Sequence, residues 1–252
     1  MRQRQGFSLV ELSVVLVILG LLVGGILAGQ SLIRSAEMRS TIQQTQRYVT
    51  AYYQFRDKYD AIPGDMATAQ NYWGQAAACP GDVTHPSTDA RTCNGDGNGA
   101  LDNDTLMEKT RIWHHLADAG LIEGTYTGVT GGSGNNYSMV PGVNVPRGKA
   151  ANVGFSTYYW ASMSGDPNWP DGIYRNFMFI GGMQGGDLTY GATFSAGEVS
   201  EIDTKMDDGK PAFGKIRTAW NNTNCVSAVR TPSATYAVGT GSGKNCSYLA
   251  LF

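Results

Sequence analysis

From Phe7 the chain is apolar for more than twenty residues, interrupted by Ser8, Ser13 and a single acid, Glu11. A run of that length suits a membrane-crossing helix, which needs about 20 apolar residues at ~1.5 Å rise each. A secretory signal fits poorly, because its apolar core is usually about 7–15 residues and ends at a small-residue cleavage site. From Gln30 the helical spacing continues while the surface turns polar. Ile33, Ala36, Ile42, Val49, Tyr52, Tyr53 and Phe55 recur among Arg34, Glu37, Arg39, Gln43, Gln44 and Arg47, with no proline before Pro63. The pattern predicts one helix from about Phe7 to Tyr59, about 80 Å long. Its first half is apolar all round; its second half is amphipathic and packs on a domain.

Ile62-Pro63-Gly64-Asp65 is a turn signal that ends this helix. Short helices are expected over Met66–Ala78, Thr105–Ala119 and Glu198–Met206, with Gly120 as a helix stop. Residues 124–148 read as a Gly/Ser/Asn/Thr loop. Beyond it, strand-like runs occur at Phe155–Met163, Asn176–Ile180, Lys215–Trp220, Thr235–Val238 and Tyr248–Phe252. The expected fold is α+β, a long N-terminal spine helix packed on a globular head with a mainly antiparallel sheet. Gly20, Gly24, Gly25 and Gly29 interrupt the apolar half. Glycine costs about 1 kcal/mol in a helix interior, so these positions suit either close helix–helix packing or a segment that unwinds on assembly.

At 252 residues the chain has room for a membrane segment and one sizeable domain, or two small ones. Its 33 glycines and 16% charged residues suit a loop-rich exported domain rather than a helical cytosolic enzyme. Arg2 and Arg4 precede the apolar run, which places the N-terminus in the cytoplasm and the chain beyond about residue 30 on the outer side of the inner membrane. The net charge is −2, and removal of Arg2 and Arg4 takes it to −4, so there is no basic excess for nucleic acid. Cys79, Cys93, Cys225 and Cys246 read as two disulfides in such a compartment. Of three connectivities the one with two local bridges, Cys79–Cys93 and Cys225–Cys246, is favoured, each bridge worth about 3 kcal/mol in the chain-entropy model. A zinc site lacks any C-x-x-C pair.

A carboxylate inside a membrane helix costs on the order of 2.5–3.5 kcal/mol at mid-bilayer, which makes Glu11 a functional residue by default. Its surroundings, Gly6-Phe7-Ser8-Leu9-Val10-Glu11-Leu12, resemble the processing site of type IV prepilins and of type II secretion pseudopilins. The resemblance covers about thirty residues. It implies that a prepilin peptidase cuts between Gly6 and Phe7 and methylates Phe7. It also implies that Glu11 pairs with the Phe7 amine of a neighbouring subunit during assembly on an inner-membrane platform. Such a pair is strong at low dielectric, and an unpaired buried charge penalises wrong registers. The pilin-like division is a leader at 1–6, a filament-core helix at 7–29, an amphipathic half at 30–59 and an extracytoplasmic head at 60–252.

Two acidic groups are candidates for a cation. Asn94, Asp96, Asn98, the Ala100 carbonyl and Asp102 have the alternating oxygen pattern of an EF-hand-type calcium loop. Thr105 stands where that loop has its bidentate glutamate, and Glu108 or a distant aspartate is expected to substitute. Asp203, Asp207 and Asp208 suit helix-end and turn chemistry better than a second site. His114 and His115 are adjacent and point about 100° apart on a helix, so they are not a metal pair. Trp160, Trp169 and Trp220 suit core and loop packing better than a carbohydrate face. No G-x-S-x-G, P-loop or H-E-x-x-H string occurs. The expected function is therefore structural and not enzymatic, a subunit of a type IV pilus-like filament. The alternatives are a secretion pseudopilin and a membrane-anchored binding protein or enzyme that never polymerises.

Overall fold

The computed structural model describes residues 8–76, 91–101, 107–129, 139–163, 165, 169–172, 174–184, 188–219, 223–228, 231–239 and 243–252. The chain divides into two compact units, Met1–Arg39 and Ser40–Phe252. A single helix, α1 (Leu9–Tyr59), crosses that division. Arg56 and Lys58 in its last turn complement the helix dipole, and Asp60, at φ +49°, turns the chain out of the helix ahead of Pro63.

The second unit is built on an antiparallel sheet of four strands, β1 (Gly154–Trp160), β2 (Arg175–Gly181), β3 (Ile216–Thr218) and β4 (Tyr248–Leu251). Their order is β1-β2-β4-β3, so the last strand in the chain lies between β2 and β3. Registers such as Phe155↔Ile180, Ile180↔Tyr248 and Thr218↔Tyr248 put those side chains on one face, since strand partners share a face. That face looks toward α1. Tyr48 meets Phe155 edge-on at 4.9 Å, Thr45 and Tyr248 share a hydroxyl hydrogen bond of 3.1 Å, and Tyr52 stacks on Phe252 at 4.3 Å. Phe177 and Phe179 point to the opposite face, where Trp160, Trp169, Tyr174 and Tyr190 cover them. This arrangement is the expected pilin-like α+β class.

Three helices complete the unit: α2 (Gln70–Trp73), α3 (Glu108–Asp118) and α4 (Ala196–Met206). Helix α4 opens on a capping box in which Ser195 and Glu198 satisfy each other's backbone N–H. Two expected elements differ. Over Met66–Ala78 only the single turn of α2 is helical among the described residues: Asn94 Oδ1 takes the Gln70 N–H at its start, and Gly74, at φ +79°, ends it. Thr235–Val238 is not a sheet strand. It makes one isolated bridge, Val226↔Tyr236, inside the loop closed by the Cys225–Cys246 disulfide.

Phe55 is fully buried and packs against Tyr59, Trp73 and His115. Phe55→Ala is expected to lower the stability of the second unit by about 3–5 kcal/mol, measured by denaturant unfolding of a soluble protein that begins near Ser40.

Candidate functional site

The first turn of α1 is held by its own side chains. Ser8 Oγ accepts the Val10 N–H at 3.3 Å, and Glu11 Oε2 accepts the Ser8 N–H at 2.8 Å. Ser8 and Glu11 thus make the glutamate half of an S-x-x-E capping arrangement, a pattern legible in the sequence that the reading of Glu11 as an assembly residue passed over. Gly6 and Phe7 lie outside the described residues. From Leu9 to Leu27 the large apolar side chains are all exposed, and a Cβ placed on Gly20, Gly24, Gly25 or Gly29 would meet nothing within 4 Å. α1 stays helical through all four glycines and is long and apolar enough to cross a membrane.

The acidic loop is organised around Asp65, which the sequence marks only as the end of a turn. Asp65 Oδ1 accepts the N–H groups of Gly97 (2.7 Å) and Asn98 (3.1 Å), and Oδ2 accepts that of Gly99 (2.8 Å). The loop backbone passes so close that a Cβ on Gly95 would sit 2.3 Å from the Asp65 carbonyl carbon. Glu108, the first residue of α3, accepts the Asp96 N–H at 2.9 Å. Ligand oxygens of Asp65, Asp96 and Glu108 consequently lie within 4.8 Å of one another. Burial raises the Asp65 carboxyl above its usual range, against the pull of the three amides, and the neighbouring Asp96 pushes it the same way as burial. A cation between these oxygens would relieve both effects.

Of the expected ligands, Asp96 is in this trio. Asn94 Oδ1 faces the Gln70 N–H, Asn98 Oδ1 accepts the Ala100 N–H at 2.7 Å, and Asp102 lies outside the described residues. Glu108, the other residue named as a candidate, lies in the trio with Asp96. Asp65 could not be found that way, because 31 positions separate it from Asp96 and only the folded chain unites them.

Asp203, Asp207 and Asp208 form the second acidic group, with oxygens again within 4.8 Å. Each carboxylate serves the turn after α4. Asp203 accepts the Gly209 N–H at 3.1 Å and the Tyr236 hydroxyl at 2.7 Å; Asp207 accepts the N–H groups of Lys215 and Ile216; Asp208 accepts that of Lys210 at 2.9 Å. Both acidic groups can coordinate a metal ion, although in this one the oxygens are more fully engaged by the turn. Burial lifts the Asp203 carboxyl to about 6, and Asp208 and Asp207 add to the rise.

His114 and His115 point to different partners. His114 Nε2 lies 3.3 Å from Asp118 Oδ2, and His115 Nδ1 accepts the Gly64 N–H at 2.9 Å. Thr92 Oγ1 lies 3.0 Å from His115 Nε2 and 3.5 Å from His114 Nδ1. A hydroxyl, an imidazole and a carboxylate are thus aligned, but Thr92 is 1% exposed and His114 4%, so no substrate reaches the hydroxyl. Burial holds His115 well below the usual histidine range and therefore neutral. Cys225 and Cys246 are joined, with Cα atoms 5.4 Å apart. Cys93 is also disulfide-bonded, and Cys79 lies outside the described residues. Trp160 and Trp169 pack edge-on at 5.0 Å in the aromatic layer beneath the sheet; Trp220 lies outside the described residues.

Residues 1–27 match the family described as the prokaryotic N-terminal methylation motif. No curated protein and no solved structure matches the chain. The match is consistent with the pilin and pseudopilin superfamily, and a motif of this kind implies a processing peptidase and association with a membrane. Motif and fold together point to a structural, non-catalytic protein.

The Asp203 carboxyl has a folded value of about 6 against an unfolded 3.8. Its contribution to stability is present in full below 3.8 and is lost as pH rises through 6. Asp203→Asn keeps an acceptor for Gly209 and removes the titration. Relative to the parent, the variant is expected to gain on the order of 2 kcal/mol between pH 4 and pH 7, measured by unfolding at a series of pH values.

Proposed function

We propose that this chain is a structural subunit of a type IV pilus-like filament, made as a single-pass inner-membrane precursor and cut between Gly6 and Phe7. The reading divides the chain into a leader at 1–6, a polymerising helix at 7–29, an amphipathic half at 30–59 and a head at 60–252. The observation that carries it is the coincidence of the methylation motif at residues 1–27 with a helix whose apolar side chains are uncovered from Leu9 to Leu27. Such a surface is stable in lipid or against identical helices, and not in water. Glu11 is the register residue. Cleavage creates an amine at Phe7, and a neighbour's Phe7 amine would replace the Ser8 N–H as the charge-bearing partner of the Glu11 carboxylate. An ion pair in hydrocarbon is worth far more than a hydrogen bond to one amide.

Gly6 substitution is expected to leave the leader attached, and Glu11→Ala to be processed but to enter filaments poorly. Sheared surface filaments and N-terminal sequencing test both: methylated Phe7 in the filaments supports the proposal, and Met1 retained in membranes with no filaments overturns it.

The same reading extends to the acidic loop, where Asp65, Asp96 and Glu108 are proposed to hold calcium in the head. Their oxygens are the hard donors that calcium prefers, and weak affinity suits an extracellular module. At ten times its dissociation constant calcium should stabilise the head by about 1.4 kcal/mol. Thermal melting with and without calcium is expected to show that shift in the parent and not in Asp96→Ala. A shift that persists unchanged in Asp96→Ala would remove the site.

A further inference from the structure

The second unit carries one patch in which cations outnumber acids and another that holds two aspartates with no cationic partner among the described residues. The first is a cavity of about 460 Å³ on the side of α1, lined by Gln44, Arg47, Glu123, Arg147 and Lys149 among others. Gln44 builds it. Its Nε2 donates to the Arg147 carbonyl and its Oε1 accepts the Lys149 N–H, both at 3.2 Å, which pins residues 147–149 against the helix. Arg147 is fixed further by two hydrogen bonds to the Pro141 carbonyl, at 3.0 and 3.3 Å. Arg47 pairs with Glu123 at 3.3 Å. Arg147 and Lys149 have no carboxylate partner among the described residues, so three cations face one acid.

The second patch lies at the end of α1, where Asp57 and Asp60 line a cavity of about 330 Å³ with Tyr53, Arg56 and Ile62. Neither aspartate has a cationic partner among the described residues. The nearby cations are turned to rings instead: the Arg56 guanidinium lies 5.8 Å from the Tyr52 ring and the Lys58 ammonium 4.9 Å from that of Tyr59.

Arg47 and Asp57 are ten residues apart on one helix, hence about 15 Å apart along its axis and about 80° around it. A contact that joins one patch to the other therefore uses two different surfaces on different faces. Such a contact can form twice about a two-fold axis or once head to tail, and in a filament whose subunits all point the same way only the head-to-tail, heterologous form is available. We propose that the Arg47/Arg147/Lys149 cavity of one copy receives Asp57 and Asp60 of the next copy. This rests on the filament reading and names the head-to-head surface that accompanies the apolar helix. A second copy is the occupant because the chain itself supplies the complementary charge in Asp57 and Asp60, neither of which has a cationic partner among the described residues.

Carbodiimide coupling of sheared filaments, which joins only touching amines and carboxylates, is expected to yield a covalent dimer linking Lys149 to Asp57 or Asp60, identified by peptide mass spectrometry. Lys149→Glu and Asp57→Lys should each lower incorporation into filaments by about fivefold, the upper range for one exposed pair. The combined reversal should restore it, which a folding defect would not do. Filaments of methylated subunits that give no such dimer and incorporate both single reversals fully would overturn this contact and leave the filament reading intact. Absence of any filament, with Met1 retained, would remove both.

Discussion

Burial of one stripe of α1, through Tyr48, Ala51, Tyr52 and Phe55, is the interaction from which the second unit is built. Each of its rings reaches a different part of the chain: Tyr48 meets Trp113 of α3 and Phe155 of β1, Tyr52 meets Phe252, and Phe55 meets Trp73. At roughly 1.5–3 kcal/mol for a fully buried large apolar side chain, such a stripe outweighs any surface ion pair. The sheet supplies the opposing surface and shields its other face with loop aromatics. That second layer explains how a glycine-rich chain with short strands still closes a core. Along the same helix the large apolar side chains from Leu9 to Leu27 are exposed. A single element thus buries one stripe in the second unit and presents an apolar surface along its first half.

Carboxylates in this protein act mainly as acceptors for backbone amides. Asp65 gathers three loop N–H groups, Asp207 takes two, and Glu198 caps α4. Loops without ladder partners must satisfy their donors somewhere, and an ionised oxygen makes the stronger bond. Burial works against these bonds: it raises the Asp65 and Asp203 carboxyls above the usual range, although the donors that each accepts from favour the charged form. Oxygens brought together to serve amides are also spaced so that they could hold a cation.

The sequence was most legible where one physical demand repeated along it. Apolar residues at helical spacing, with no proline before Pro63, located α1 to within two residues at its start and to the residue at its end. Strands β1, β2 and β4 were marked by β-branched and aromatic runs, though β1 stops at Trp160 rather than Met163. Thr235–Val238 has the composition of a strand but joins no sheet: it bridges Val226 at Tyr236, whose hydroxyl donates to Asp203. The acidic group was legible in part: of the residues that the spacing from Asn94 to Asp102 singled out, Asp96 lies in it, as does Glu108. Its centre, Asp65, is fixed by the way the Pro63–Gly64 turn docks on α3, where a Cβ on Gly64 would lie 2.5 Å from the Glu108 carbonyl. Close approach of that kind leaves no periodic trace.

The position of β4 has a consequence for biogenesis. Residues 248–251 sit between β2 and β3, so neither neighbour is paired on that side until the far part of the polypeptide has emerged. β1 and β2 can pair as soon as both are made, but β3 waits without a sheet. Closure of the sheet is thus timed by residues 248–251, and a chain that has yet to deliver them keeps the facing edges of β2 and β3 open.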